Sequence, residues 1–273
     1  MAKKDRVERL RLSEEPKVDL DAFDTGDSSA FPGTKAQALA ESRRLTQRLE
    51  QAQELLYAAH GPAVLVVLQG LDTAGKDGTI RHVFQGVNPQ GVRVARFRVP
   101  TEVEYDHDFL WRVHPETPGK GEIVIFNRSH YEDVLAARVD GRVPKDVWKQ
   151  RYRSINEFER TLVKEGTTVI KFFLAISRAE QRRRLEARLH DPTKHWKFSA
   201  GDAKERRKWP QYVPAIEEML ERTSTRWAPW YLVPADKKWF RDWVVSRVLV
   251  RTLEGFDLKW PGLPPGLAGA RID

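Results

Sequence analysis

The sequence predicts an α/β fold: a three-layer sandwich with a central parallel sheet, helices on both faces and a basic helical lid. Two patterns carry this prediction. Five short apolar runs, AVLVVLQ (63–69), VRVARFRV (92–99), EIVIF (122–126), TTVIKFFLA (167–175) and WYLVPAD (230–236), alternate with segments of helical character, the arrangement of parallel strands joined by crossover helices. The first, third and fourth runs are apolar almost throughout, as strands covered on both faces are, whereas the second mixes Val, Ala and Phe with Arg and belongs near an edge.

In chain order, residues 1–34 are polar and lack clear periodicity, with Gly26 to Ser29 and Pro32-Gly33 as turn signals, so they read as an N-terminal arm with few core contacts. From 35 to 60, Leu39, Leu45, Leu49, Leu55 and Leu56 recur near helical spacing until Gly61-Pro62 stops the run. Residues 35–273 read as one domain, with a lid over about 191–209 and PGLPPGLAGA (261–270) as a tail poor in ordering residues.

A chain of 273 residues, 40% of them hydrophobic, can bury a full core. The absence of cysteine excludes disulfides and thiolate metal sites, leaving oxygen or imidazole to hold any metal. MAKKDRVERLRLSEEPKVD lacks an apolar signal region, and no run approaches the roughly 20 apolar residues that span a bilayer, so a soluble cytoplasmic protein is expected. The net charge of +8, from 47 Lys and Arg against 39 Asp and Glu, favours polyanionic partners. Charge alone leaves nucleic acid, membrane surface and long phosphate chains open, and a 32% charged composition also suits an ordinary solvated surface.

The loop after the first run narrows the choice. Gly70-Leu71-Asp72-Thr73-Ala74-Gly75-Lys76-Asp77-Gly78 fits G-x-x-x-x-G-K, with a strand before it and a helical stretch after it. Glycines let successive N–H groups turn inward, the helix adds its positive end, and Lys76 supplies a full charge, which together bind phosphate. A loop serving only as a connection would not need that lysine at that spacing. Two carboxylates depart from the general pattern: Asp77 stands where Ser or Thr usually binds magnesium, and Asp72 sits inside the loop. A carboxylate beside phosphate implies an intervening divalent cation or an acceptor to be oriented, and Asp72 is the stronger candidate; Asp77 also reads as a first-turn residue facing the helix dipole.

At the end of EIVIF stand Asn127-Arg128-Ser129-His130-Tyr131-Glu132-Asp133, at the sheet edge where open α/β folds bind ligands. Arg128 suits a phosphate clamp, because its planar fork meets two oxygens at once, and Glu132 suits a metal ligand or acceptor-positioning group. Downstream, 176–199 reads as a helix with Leu185 and Leu189 inward and Arg184 and Arg188 sharing a flank, followed by a Lys- and Arg-rich stretch, 193–207, with the composition of a mobile cover. Glu104-Tyr105-Asp106-His107-Asp108 has metal-like composition but reads better as a capped helix start before FLWRV. The nine Trp residues include candidates for base stacking, though most read as core. Neither a nucleophile elbow nor H-E-x-x-H is present.

GLDTAGKDG, FNRSHYEDVL, RLHDPTKHWKFS and APWYLVPADKK, in this order, resemble the signature segments of the type 2 polyphosphate kinase family, over roughly residues 35–253. The resemblance implies a P-loop kinase-like fold, phosphoryl transfer between inorganic polyphosphate and a nucleotide, Mg2+ dependence with Mn2+ as substitute, and a homodimer or homotetramer. It places Asp72, Lys76 and Arg128 at the family's catalytic carboxylate, loop lysine and second-motif arginine. Arg183, Arg184, Arg188, Lys194 and Lys197 fall in its basic lid region. The commoner second motif is FDRSWYNR; here Asn127, His130 and Glu132 replace Asp, Trp and Asn, a variant resembling the subgroup that accepts both nucleoside mono- and diphosphates. Asp72 and Glu132 are then left as metal ligands, and adenine or guanine nucleotides are expected partners, with neither nucleic acid nor membrane. Two rival readings are an ATP-dependent kinase of another small molecule and a non-catalytic polyanion-binding module.

Overall fold

The computed structural model describes residues 5–198 and 200–264. Among them all five apolar runs form strands: β1 (Val64–Gln69), β2 (Val92–Arg96), β3 (Ile123–Asn127), β4 (Thr168–Ala175) and β5 (Trp230–Pro234). They make one parallel sheet in the order β2-β3-β1-β4-β5, with β1 at its centre and β2 at an edge. The helices are α1 (Lys35–Ala58), α2 (Lys76–Val83), the single-turn α3 (Glu102–Tyr105) and α4 (Ala136–Val139), α5 (Lys145–Lys164), α6 (Arg178–His190), α7 (Ala200–Arg207), α8 (Trp209–Thr223) and α9 (Lys238–Glu254).

Strand parity divides the core in two. Val64, Val66 and Leu68 of β1 pack with Leu45, Leu49 and Leu56 of α1 and with Val244, Val248 and Leu249 of α9. Leu65 and Val67 face the opposite side, where α5 contributes Tyr152 and Ile155 and α8 contributes Ile216 and Met219. A strand buried at every position and apolar from Val64 to Leu68 can exist only between two such layers. Thr34 starts α1 with a reciprocal cap: its hydroxyl accepts from the Gln37 N–H (3.3 Å) and its own N–H donates to the Gln37 side chain (2.8 Å).

Two expectations need correction. The N-terminal arm has core contacts of its own: Val7, Leu10, Ala30 and Phe31 are buried in the first layer and Val18 in the second. Apolar residues scattered singly give no periodicity, yet they fill the side of the sheet at β5, where the Leu12 N–H donates to the Trp230 carbonyl (2.8 Å) and covers the open edge. On α6 only Leu185 of the two leucines is buried; Leu189 is 49% exposed, because the inward face runs through Gln181, Arg184 and Leu185 and the last turn has no core beneath it. The chain beyond residue 264 lies outside the described residues. Among the described residues no helix is long and apolar enough to cross a membrane.

Candidate active site

The first loop is shaped by backbone conformations that ordinary residues avoid. Gly70 (φ +154) and Gly75 (φ +104) flank Thr73, which is left-handed at φ 66 despite its branched side chain, a strain of roughly 1–3 kcal/mol. Two buried guanidinium groups hold the loop from behind. Arg184 Nη1 donates to the carbonyls of Thr73 (2.9 Å) and Ala74 (3.0 Å), and Arg241 Nη1 to that of Ala74 (3.3 Å). Arg241 is itself fixed by Asp242 Oδ1, which accepts from its Nε (2.8 Å) and Nη2 (2.7 Å) and from the Thr79 hydroxyl (3.3 Å), tying α9 to α2. Carbonyls engaged on the far side leave the loop's remaining amide groups for an anion.

Lys76 opens α2 and is buried, its Nζ donating to the carbonyl of Gly70 (2.7 Å) and more weakly to that of Leu71 (3.4 Å). Burial first, then the nearby Arg128 cation, lowers its pKa to about 8 against the pull of Asp72, Glu132 and Glu205. Asp72 lies between two arginines: Oδ1 is 3.8 Å from Arg128 and Oδ2 is 3.3 Å from Arg188 Nη1. Asp77 in the first turn of α2 accepts from Asn127 Nδ2 (2.6 Å), which joins the two loops.

The second loop follows β3. Arg128 is left-handed (φ 62), its N–H donating to the Leu68 carbonyl of β1 (3.2 Å), and its guanidinium lies 3.4 Å from Glu132 Oε2. Glu132 is the main reason the Arg128 pKa is raised, outweighing burial. Behind them burial pushes the Asp133 carboxyl up, although Arg112 (3.4 Å) and Arg151 (3.3 Å) face it.

Both loops open on one cleft of about 780 Å³, lined by Asp72, Lys76, Asp77, Arg128 and Glu132 together with Asn127, Thr73, Gly75 and Gly78. Gly70 and Ala74 shape the loop from behind this lining. Arg183, Arg188 and Lys194 line its other flank; Arg183 is paired with Glu180 and Lys194 with Asp191. Arg184 also borders the cleft, but its guanidinium is committed to Glu180 and to backbone carbonyls of the loop and of Ala235 and Asp236. The Lys197 side chain lies outside the described residues. None of residues 104–108 lines the cleft, although Glu104 lies 3.6 Å from the lining residue Arg112: Glu104 completes the cap that Thr101 gives α3, and His107 stacks on Trp111 at 4.1 Å.

Among the described residues no group of three or more His and acidic side chains forms a metal cage. Asp72 and Glu132 nevertheless converge on one guanidinium, so oxygen donors stand close together at the cleft. That donor set fits Mg2+, which is held through one or two carboxylates and completed by water and substrate phosphates.

The family model described as Polyphosphate kinase 2 (PPK2) matches residues 33–260. The chain belongs to the polyphosphate kinase 2 family. A Meiothermus ruber protein named AMP/ADP-polyphosphate phosphotransferase is 56% identical over 93% of this chain and 96% of its own length. A Rhodopseudomonas palustris ADP-polyphosphate phosphotransferase is 42% identical over 95% and 94%. The crystal structure of polyphosphate kinase 2 from Arthrobacter aurescens TC1 superposes with a TM-score of 0.92 at 41% identity, covering 97% of this chain and 95% of that one.

Several residues that line the cleft or brace it from behind escape a reading of the motifs of this polyphosphate kinase 2 chain. Glu205 of α7 reaches the cleft, where burial raises its pKa in spite of Arg128. Gln181 Nε2 donates to the Asp72 carbonyl (3.3 Å), and its Oε1 accepts from Arg206 of α7 (2.9 Å). Arg241 carried a usable signal: it interrupts the apolar face of α9 one turn before Val244 and Val245, where a charge must have a buried partner. Glu205 carried none, sitting in a uniformly charged stretch.

Proposed function

We propose that the chain moves a phosphoryl group directly between inorganic polyphosphate and AMP or ADP, reversibly and without a phosphoenzyme. One observation carries the reading: the Asp72 carboxylate stands between Arg128 and Arg188 at the mouth of the loop that holds Lys76. Anion-binding groups surround a carboxylate there, as in-line transfer between two polyanions requires.

In this reading an acceptor phosphate oxygen, oriented by Asp72, attacks the terminal phosphorus of polyphosphate as the bridging P–O bond breaks, leaving a chain one phosphate shorter. Lys76 and Arg128 neutralise the charge spread over the migrating group. Asp72 and Glu132 would hold Mg2+, which when bound neutralises donor and acceptor oxygens. Arg183, Arg188 and Lys194 lie where a long anion would follow the flank of α6. The names of the Meiothermus and Rhodopseudomonas relatives cover both acceptor lengths, and Glu132 beside Arg128 is the group placed to choose between them.

Incubation with polyphosphate, AMP and Mg2+ in the absence of ATP tests this directly. Formation of ADP and ATP is expected. No transfer under these conditions, with ATP-dependent phosphorylation of another acceptor, refutes the reading.

A further inference from the structure

On the face of the sheet beneath the second loop, an ammonium and a carboxylate lie buried side by side. Lys171 of β4 and Glu159 of α5 are both 0% exposed, with Nζ 2.6 Å from Oε2. Lys171 uses all three of its protons, since Nζ also donates to the Tyr131 hydroxyl (2.8 Å) and the Thr223 carbonyl (2.7 Å). The Tyr131 hydroxyl donates onward to Glu159 Oε1 (2.6 Å), and His130 Nε2 stands 3.4 Å from that oxygen. The rings of Tyr131 and Trp230 lie 5.3 and 5.0 Å from Nζ, close enough to stabilise the cation.

Such a pair adds little to stability, because desolvation opposes the attraction and apolar residues of similar volume pack as well. A fully satisfied polar network instead restricts the elements it joins to one arrangement. Those elements are informative. Tyr131 lies in the second loop between Arg128 and Glu132, Lys171 lies on the strand beside β1, and Thr223 ends α8, the helix that follows Glu205. Arg128 is left-handed, a conformation that persists only where the surroundings impose it. Tyr131 is fully buried, as are Ser129 and His130 of the same loop, and among the described residues its hydroxyl bonds to Lys171 and Glu159 of this network.

We propose that Lys171, Glu159 and Tyr131 are positioning residues for phosphoryl transfer: the buried pair, acting through the Tyr131 hydroxyl, sets where Arg128 and Glu132 stand above the first loop. The inference rests on the roles given to those two residues above. Removing the hydroxyl frees the loop without touching the cleft, so it alters how well the site is arranged for transfer rather than how tightly substrates are held.

The test compares ATP formation from ADP and sodium polyphosphate, with Mg2+, in the parent and three variants, each normalised to folded protein. Tyr131→Phe is expected to lower kcat about tenfold with both KM values within twofold of the parent. Lys171→Met combined with Glu159→Leu removes both charges at similar volume and is expected to melt near the parent temperature with a comparable loss of kcat. Parental kcat in Tyr131→Phe, or a loss confined to KM or to the folded fraction, overturns the inference; if the double variant does not fold, Tyr131→Phe decides alone. Arg128→Ala separates the two levels. If it retains parental kcat, the underlying reading of the site fails; if it is inactive while Tyr131→Phe is normal, only the positioning role fails.

Discussion

Arg241 Nη1 donates to the Ala74 carbonyl at 3.3 Å, and a Cβ placed on Gly75 would meet that same nitrogen at 1.9 Å. The loop and the helix that braces it are therefore fitted to each other with no room for a methyl group. Gly75→Ala has a second cost, because φ +104 is a conformation that only glycine adopts easily. The variant should stay folded but lose nearly all phosphoryl transfer, since relief of the clash must displace either Arg241 or the loop. Arg241→Ala should give a milder form of the same defect, roughly a tenfold to hundredfold loss of turnover. Steady-state rates beside a thermal melt check both, and a Gly75→Ala enzyme of normal rate would contradict the fit described.

Lys76 gives a prediction with two signs. Its folded pKa of about 8 lies below its ordinary 10.5, so the folded chain holds this proton more weakly than the unfolded chain does. The buried charge therefore destabilises the fold below pH 8, and that cost fades as pH rises from 8 towards 10.5. Lys76→Met should lose turnover by roughly a hundredfold or more, yet melt higher than the parent at pH 7, by an amount on the order of 3 kcal/mol at most. The advantage should shrink in melts taken up to pH 10. In the parent, kcat/KM should fall above about pH 8 as the cation is discharged. A Lys76→Met protein that is less stable at pH 7, or a flat profile to pH 9.5, would count against this account.

The strands and the first loop were legible because their signals are local. β1 is apolar from Val64 to Leu68 and Gln69 is followed at once by the glycine-lysine spacing, so both its burial and its ligand can be read from the thirteen residues Val64 to Lys76. The edge position of β2 was legible for the same reason, through Arg93 and Arg96. What could not be read are pairings across the chain. Arg184 looks in sequence like one more basic lid residue, and only the fold brings it within 3.0 Å of the Thr73 and Ala74 carbonyls. Lys171 sits inside an apolar strand with nothing nearby to show that Glu159, twelve residues earlier, neutralises it. Glu205 is hidden among charged neighbours, and its place in the cleft that Arg128 also lines depends on how α7 packs.

Glu132 is the position at which acceptor choice should be adjustable. Its carboxylate lies 3.4 Å from Arg128 and is the largest influence holding that cation charged. ADP brings more negative charge to the cleft than AMP does, so a neutral side chain here should favour the longer acceptor. Glu132→Asn is expected to shift the AMP-to-ADP ratio of kcat/KM towards ADP by about tenfold, equivalent to about 1.4 kcal/mol. Competition between the two acceptors at equal concentration measures it, and an unchanged ratio would show that Glu132 has another role.

The flank formed by Arg183, Arg188 and Lys194 should hold polyphosphate largely through charge. Arg183 is 65% exposed at its side chain and Lys194 52%, and each already pairs with an acid on its own segment, Glu180 and Asp191. Exposed ion pairs of this kind are worth about 0.2–1 kcal/mol each and are screened by salt. A long polyanion can therefore displace the acids at little cost while its counterions are released, as happens on other phosphate polymers. The KM for polyphosphate should rise steeply between roughly 50 and 300 mM NaCl, over which the Debye length shortens from about 14 to about 6 Å, while the KM for ADP rises less. Arg183→Ala with Lys194→Ala should raise the polyphosphate KM by roughly fivefold at low salt, flatten its salt dependence and leave kcat nearly unchanged. Equal salt sensitivity for both substrates in the parent, or a double variant with unaltered polyphosphate KM, would place the polymer elsewhere on the surface.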